Sequence, residues 1–245
     1  MEIYQIKCRF VNSYVIENEG RLFVVDVEFN GEDYVLDYVR DTLGRNPEHI
    51  ELVLCSHDDR DHSGGIEALA KKCGAVIGMP YASYSLMKKL WHNPYGVYYR
   101  PVTAMEESLR PRMWRMYLDP HRQRRFKRSP KKTVPVSLHA LVREPHPDIH
   151  IKDKQALPGF PDWVAIHTPG HSWDSCCYFH QATRSLITGD TLLGSRKREK
   201  VLFPAIFANP RQMAKTVVRL RRLKPMHVYP GHGSAFHGDG LLDHL

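Results

Sequence analysis

The densest group of reactive side chains in the sequence is the run from His57 to His62. It reads His-Asp-Asp-Arg-Asp-His, so every residue except the arginine carries an imidazole or a carboxylate. Divalent zinc, iron and manganese take these two groups as ligands in proteins. The run therefore indicates a metal site, and with it hydrolytic chemistry in which a metal ion activates water.

Three further ligand-type residues, His171, Asp190 and His232, each follow a short apolar stretch and a glycine. A glycine allows the backbone to turn sharply, so that neighbouring side chains can face one small volume. A lone histidine is more often a structural residue than a ligand. In a layered α/β fold, strand ends converge on one edge, where residues distant in sequence can meet. Four clusters of ligand-type residues at such ends are not explained by packing. The glycines are Gly170, Gly189 and Gly231.

Short apolar runs predict the strands that deliver the chain into these clusters. The predicted strands are residues 1–7, 13–16, 22–26, 50–55, 75–77, 163–167, 176–179, 185–188 and 226–229. Helices are predicted from Asn30 to Gly44, from Ile66 to Lys72, and from Asn209 through Leu223, with Pro210 in the favoured first turn. Strands and helices in this succession predict one α/β domain over residues 1–245.

The motifs and their order resemble those of the metallo-β-lactamase fold superfamily, which includes hydroxyacylglutathione hydrolases, lactonases, phosphodiesterases and flavodiiron proteins. The family's first signature, H-x-H-x-D-H followed by x-G-G, corresponds to residues 57–65. The early Asn12–Val15 segment and the strand that ends at Asp26 fit its opening hairpin. The later signatures correspond to Thr168-Pro169-Gly170-His171-Ser172, Thr188-Gly189-Asp190-Thr191 and Tyr229-Pro230-Gly231-His232-Gly233. The resemblance implies a four-layered αββα sandwich.

The resemblance also implies two metal ions at the edge of the sheets. By position, the implied ligands are His57, Asp59 and His171 for the first ion, Asp61, His62 and His232 for the second, and Asp190 as a bridge between them. Such a centre lowers the pKa of water enough to supply a bridging hydroxide, which attacks a carbonyl or phosphoryl centre. Asp61 is implied as the group that orients this nucleophile or carries a proton to the leaving group.

One position departs from the family pattern, because Asp59 stands where most members have histidine. Asp58 does not take over the role, since the spacing places the ligand two residues after His57. We expect Asp59 to ligate directly; the alternatives are ligation through water and a weak or empty first site. A carboxylate is a harder ligand than an imidazole, so a site with Asp59 accepts iron or manganese more readily. Flavodiiron proteins likewise have an acidic residue at this position. Zn²⁺ remains the expected metal, because carboxylates also bind zinc well.

The stretch at about 80–161 is predicted to be a helical, basic insertion, with helices at 81–91 and 106–126 and a proline-rich loop or irregular strand at 131–161. Two interpretations are open: its side chains form a substrate cap in which arginine holds a carboxylate or phosphate, or they pack on the domain or on a second subunit. The aromatic and methionine side chains that it supplies for either role include Tyr84, Met87, Trp91, Tyr95, Tyr98, Tyr99, Met113, Trp114, Met116 and Tyr117. Its basic side chains crowd one segment, which contains Arg110, Arg112, Arg115, Arg122, Arg124, Arg125, Lys127, Arg128, Lys131 and Lys132.

Residues outside the motifs add few sites. His139, His146 and His150 lack the family spacing and are expected at the surface, whereas Lys197, Arg198 and Lys200 are candidates to approach a bound anion. The five cysteines show no C-x-x-C spacing and are expected to be reduced, buried thiols. No run approaches the roughly 18 apolar residues that cross a bilayer, and the N-terminus lacks a signal-peptide pattern, so we expect a cytoplasmic protein without a membrane partner.

The expected function is hydrolysis of a small ester, thioester or lactone, with a small molecule, neutral or anionic, as substrate. The first alternative is a phosphodiesterase or nuclease, because aromatic residues interleaved with arginine can stack bases; nucleic acid is the less favoured partner, since no separate nucleic-acid module is recognisable. The second alternative is a non-hydrolytic di-iron protein that acts on oxygen or nitric oxide, to which Asp59 gives slight support. A homodimer remains open.

Overall fold

The computed structural model describes residues 1–82, 87, 90–91, 93–111 and 145–245. This part of the chain divides into two units. The first contains Met1–Met79 and residues 145–150, and the second contains the described residues of Pro80–Met113 together with Ile151–Leu245.

The first unit is built on a six-stranded sheet in the order β1-β2-β3-β4-β5-β6. β1 to β3 are antiparallel neighbours, and β3, β4 and β5 are parallel, which requires crossover connections between them. In the β2–β3 turn, Glu19 and Gly20 both have positive φ. The strands are β1 (Glu2–Lys7), β2 (Asn12–Asn18), β3 (Arg21–Val25), β4 (Ile50–Leu54), β5 (Val76–Pro80) and β6 (Ile149–Ile151).

Helices supply the crossovers of the first unit. They are α1 (Glu32–Asp37), a π-helical turn (Tyr38–Thr42), a 3₁₀ turn (Pro47–His49), α2 (Arg60–Ser63) and α3 (Ile66–Cys73). Val35 of α1 and Leu69 of α3 belong to one buried cluster with Val24 and Val53 of the sheet. The predicted helix over 30–44 is thus α1 followed by a π-helical turn, while α3 matches its prediction and ends at the left-handed Gly74.

The second unit has a six-stranded sheet in the order β14-β13-β10-β9-β8-β7 and a separate two-stranded ribbon, β11–β12. β10 and β13 are parallel, and the other paired strands are antiparallel. The strands are β7 (Ala156–Leu157), β8 (Phe160–His167), β9 (Cys176–His180), β10 (Ser185–Gly189), β11 (Leu193–Ser195), β12 (Lys200–Leu202), β13 (His227–Pro230) and β14 (Phe236–His237).

Two helices of the second unit matter for the site: α4 (Pro94–Ser108) and α5 (Pro210–Arg221). α5 begins as predicted, because the Asn209 side chain accepts a hydrogen bond from the backbone of Gln212 and Pro210 occupies the first turn. It buries Met213, Val217 and Leu220 in a cluster with residues of the sheet.

The central strands of both sheets bury side chains from both faces. Val24 and Val53 face the helices of the first unit, and their neighbours Phe23 and Leu52 are buried as well. All five cysteines are buried and none forms a disulfide, as predicted. The predicted α/β class is confirmed, and among the described residues no helix is long and apolar enough to cross a membrane.

The stretch at about 80–161 differs from its sequence-based prediction in its helix. The described helix, α4, begins at Pro94, twelve residues before the start of the helix predicted at 106. Residues 149–161 supply β6, β7 and the start of β8, short strands that agree with the predicted loop or irregular strand. Most of the predicted helices at 81–91 and 106–126 lie outside the described residues. The description of 1–245 as one domain with an insertion stays a prediction.

Glu28, just after β3, is a buried carboxyl that fixes the β1–β2 connection. Its oxygens accept hydrogen bonds from the backbone amides of Arg9 (2.8 Å), Phe10 (2.7 Å) and Val11 (3.3 Å). Burial raises the pKa of Glu28 from 4.5 to about 7, and the charge of Asp61 adds to this, although the three amide donors lower it.

We expect the stabilisation that Glu28 contributes to decrease as the pH rises from 4.5 to 7. The folded-state pKa is the raised one, so the stabilisation is complete below the unfolded-state value of 4.5 and is lost as the pH passes about 7. The free energy of unfolding should fall by about 3 kcal/mol relative to Glu28→Gln across this window, measured by urea unfolding at matched metal content. Exposed Glu48→Gln is the control, and parallel curves for wild type and Glu28→Gln would contradict the assignment.

Candidate functional site

The run from His57 to His62 lies immediately beyond β4 and includes most of the short helix α2. The backbone oxygen of Asp59 accepts hydrogen bonds from the amides of His62 and Ser63, both at 2.8 Å, which closes the turn. His57 and His62 are buried, whereas the side chains of Asp59 and Asp61 are each 28% exposed. The imidazoles are therefore enclosed by protein, and the carboxylates beside them are partly open to solvent.

Asp26 is a fully buried carboxylate behind this run. Its Oδ1 accepts a hydrogen bond from the Ser56 backbone amide at 2.6 Å. Its Oδ2 accepts from Ser56 Oγ and from His62 Nδ1, both at 2.9 Å. Asp26 has a φ of +62°, a left-handed conformation that aspartate tolerates better than most residues. The sequence patterns place Asp26 at a strand end but do not predict its hydrogen bonds.

The hydrogen bonds of Asp26 determine which nitrogen of each histidine bears a lone pair. His62 donates from Nδ1, so its Nε2 carries the lone pair. Ser56 gives its only hydroxyl proton to Asp26, so at 3.0 Å it accepts from His57 Nδ1, and His57 Nε2 also carries a lone pair. Histidine ligands need this tautomer when they bind metal through Nε2.

The spacing of donor atoms in the first unit fits a divalent ion. His57 Nε2 lies 3.1 Å from Asp59 Oδ2, and His62 Nε2 lies 3.8 Å from Asp61 Oδ2. Two ligands that each lie about 2.1 Å from a tetrahedral ion are about 3.4 Å apart. Asp59, not Asp58, places its carboxylate beside His57, in agreement with the spacing argued from the sequence.

In the second unit, His171 follows a turn that requires glycine. Gly170 has a φ of +149°, and a Cβ there would lie 2.7 Å from the Cα of Met213. His171 donates from Nδ1 to the carbonyl of Ile206 at 2.7 Å, which leaves the lone pair on Nε2. The amide of Ala208 lies within hydrogen-bond distance of the carbonyls of both Gly170 and His171. The segment 206–208 therefore holds the His171 loop and its ring.

Asp190 and His232 complete the candidate residues of the second unit. They follow β10 and β13, which are parallel neighbours, so both leave the sheet at the same edge. Asp190 Oδ2 lies 3.3 Å from His232 Nε2 and 3.9 Å from His171 Nε2. One carboxylate oxygen thus faces two buried imidazoles, as a ligand shared by two ions would.

The glycines that precede the three ligand-type residues do not all behave alike. Gly170 and Gly189 have positive φ, as the predicted sharp turns require. At the third cluster the residue with positive φ is Gly233, after His232, and not Gly231. The reason is a close backbone crossing, in which a Cβ on Gly233 would lie 1.7 Å from the carbonyl oxygen of Gly194.

The structure therefore brings the seven predicted residues together in two sets. His57, Asp59, Asp61 and His62 form the set of the first unit, and His171, Asp190 and His232 form the set of the second. Asp26, Ser56 and Arg100 are functional candidates that the motifs do not identify. Arg100, on α4, lies 3.3 Å from His171 Nε2 through one terminal nitrogen.

The other predicted candidates are less informative. Met87, Trp91, Tyr95, Tyr98 and Tyr99 are exposed in the described part of the chain. Lys197, Arg198 and Lys200 are exposed on the β11–β12 ribbon, and His146 and His150 are exposed as predicted. Tyr84, the residues Met113, Trp114, Met116 and Tyr117, the basic residues from 112 to 132, and His139 lie outside the described residues.

Comparison with known proteins gives one consistent family. Residues 6–232 match the metallo-beta-lactamase superfamily. The chain is 26% identical over 88 residues to the probable metallo-hydrolase YqjP of Bacillus subtilis (strain 168); the match spans 34% of this chain and 28% of that protein. It therefore covers well under half of the relative's length.

Solved structures share the fold at low sequence identity. The metallo-beta-lactamase family protein TTHA1429 of Thermus thermophilus has a TM-score of 0.59 at 19% identity, over 97% of this chain and 74% of that one. TTHA1623, solved in a di-iron-bound form, has a TM-score of 0.58 at 16% identity, over 97% and 94%. ETHE1 from Myxococcus xanthus has a TM-score of 0.57 at 16% identity, over 99% and 80%. The predicted fold is confirmed.

We expect Asp26→Asn to weaken metal binding while the fold is retained. Asparagine also tolerates the left-handed backbone, but its single oxygen cannot accept all three hydrogen bonds. Loss of such a partner of a histidine ligand typically lowers metal affinity about 10- to 100-fold. Competition with a chromogenic chelator measures this, with Asp148→Asn as control, because exposed Asp148 accepts a structural hydrogen bond from the Ile77 amide. Equal affinities of Asp26→Asn and wild type would refute the role.

Proposed function

This chain belongs to the metallo-β-lactamase superfamily, and from that membership we propose that it is a dinuclear metal-dependent hydrolase of a small ester, thioester or lactone. The observation that carries the proposal is the donor geometry within each unit. Buried imidazoles offer Nε2 lone pairs, and carboxylate oxygens lie 3.1 to 3.9 Å from them. Hydrogen bonds at Nδ1 hold three of these rings in the required orientation.

We assign the ligands as the family positions imply. By those positions His57, Asp59 and His171 would hold the first ion, Asp61, His62 and His232 would hold the second, and Asp190 would be shared by both. Three carboxylates offset most of the charge of two divalent ions, and a mixed nitrogen and oxygen set suits zinc, iron or manganese. A pair of such ions, when bound, would lower the pKa of water and polarise the substrate carbonyl.

Asp61 is the residue to which we assign proton transfer. Its side chain is 28% exposed and so is open to a substrate, and its Oδ2 lies 3.8 Å from Nε2 of the buried His62. An ionised carboxylate accepts hydrogen bonds only, which allows it to orient the attacking water by its proton. After taking that proton, Asp61 returns it to the leaving oxygen or sulfur.

A second candidate function is non-hydrolytic di-iron chemistry on oxygen or nitric oxide. It is favoured by the carboxylate of Asp59 beside His57, which suits iron, and by the similarity to TTHA1623, whose structure is di-iron-bound. The phosphodiesterase or nuclease alternative depends on the basic residues from 112 to 132, which lie outside the described residues, and it gains no support from the structure.

We expect protein purified without chelators to contain divalent metal and to hydrolyse at least one member of a panel of thioesters, lactones and aryl esters. Chelation should abolish turnover, and added zinc, manganese or ferrous iron should restore it. Asp61→Asn should lower kcat by about 100-fold or more with an unchanged circular dichroism spectrum. Asp58→Asn, in the same run, is the matched control. Near-normal turnover in Asp61→Asn, or an iron-loaded protein without hydrolytic activity, would contradict the proposal.

We expect Asp59→His to change which metal the protein selects. Replacement of a hard oxygen ligand by an imidazole should raise the proportion of zinc over iron and manganese. Elemental analysis of wild type and variant from the same growth medium measures this proportion, with Asp58→His as control. Unchanged metal content together with unchanged kinetics would show that Asp59 is not a ligand.

A further inference from the structure

Arg100 is a cation that α4 brings to the edge of the candidate site. One terminal guanidinium nitrogen lies 3.3 Å from His171 Nε2. Because His171 donates from Nδ1 to Ile206, its Nε2 is an acceptor, and Arg100 is the donor in this contact. The same nitrogen is the one that the proposed ligand set gives to a metal ion.

A hydrogen-bonded hydroxyl ties the middle of α4 to the segment that orients His171. Thr103 is buried, and its Oγ1 accepts a hydrogen bond from the Phe207 amide at 3.2 Å. As a donor it lies within 3.2 Å of the carbonyl of Phe207 and within 3.1 Å of the carbonyl of Arg100. Since Ile206 accepts the Nδ1 proton of His171, the His171 ring and the middle of α4 are attached to consecutive residues.

The first turn of α4 packs on the same segment. The side chain of Asn93 caps the helix by accepting from the Gly96 amide at 3.2 Å. A Cβ at Gly96 would lie 3.0 Å from the Cβ of Ala208 and 2.3 Å from Asn93 Nδ2, so glycine is needed for this approach. Ala208 in turn holds the carbonyls of Gly170 and His171. Arg100 is thus part of a built arrangement and not a loose surface side chain.

We propose that Arg100 binds an acidic group of the substrate, a carboxylate or a phosphate, beside the proposed metal ions. The inference rests on the proposed function for the ligand role of His171. A guanidinium is permanently charged and presents several donors in one plane, which matches the oxygens of these anions. Close to a divalent ion it would be repelled, and an anion between the two cations removes that repulsion.

The test compares two esters that differ only in charge, mono-4-nitrophenyl glutarate and 4-nitrophenyl valerate, on zinc-loaded protein. Arg100→Met should lower kcat/KM for the glutarate ester by roughly 10- to 100-fold, as expected for a lost charged hydrogen bond, and change the valerate ester little. Arg100→Lys should retain part of the preference. Arg110→Met is the matched control, because Arg110 pairs with Glu107 about 15 Å further along the chain direction of α4.

A second readout is independent of turnover. Zinc-loaded protein is titrated calorimetrically with glutarate and with inorganic phosphate. The anion that wild type binds more tightly should bind Arg100→Met about tenfold more weakly and Arg110→Met with unchanged affinity. The two titrations distinguish a carboxylate from a phosphate. Zinc content should be equal in all variants.

Three results would overturn the proposal: equal losses for both esters, loss of zinc from Arg100→Met, or anion binding that does not depend on Arg100. Either of the first two results would mean that Arg100 maintains the structure of the site and does not bind the substrate. Arg100-dependent anion binding in a wild-type protein that cleaves none of the esters would support the role of Arg100 while the hydrolase proposal fails.

Discussion

The orientation of the two candidate histidines of the first unit depends on the hydrogen bonds of the buried Asp26 carboxylate. A fully buried carboxylate is costly unless it is hydrogen bonded, and Asp26 has donors on both oxygens. The parallel register that pairs Val25 with Leu54 sets Asp26 beside the residues that follow β4. Ser56 and His62 therefore meet one anion, and the tautomers of both histidines follow from it.

In the second unit, backbone groups of residues 206–208 perform the task that Asp26 performs in the first. Ile206 fixes the ring of His171, Ala208 fixes its loop, and Phe207 fixes α4 through Thr103. Three consecutive residues thus orient the imidazole of His171 and anchor the helix that carries Arg100. The relative placement of Arg100 and His171 depends on this one segment, which lies just before α5.

Sequence patterns predict the fold class, most of the strands and both sets of ligand-type residues, because these depend on local alternation and on motifs. They do not predict α4, since Gly96 and Pro101 disfavour a helix and its stability comes from contacts with residues a hundred positions away. The short strands at 149–157 are interrupted by turns, so no periodicity marks them. The role of Asp26 is equally hidden, because it depends on strand register.

The backbone crossing between Gly194 and Gly233 constrains how this chain can vary. The amide of Gly194 donates to the carbonyl of His232 at 2.9 Å, and a Cβ at either glycine would overlap the other segment. Neither glycine can be exchanged without a backbone displacement that reaches His232. The basic ribbon β11–β12 is consequently tied to the loop of the last histidine, and any ribbon exchanged into this position would have to keep glycine at 194 to fit against Gly233.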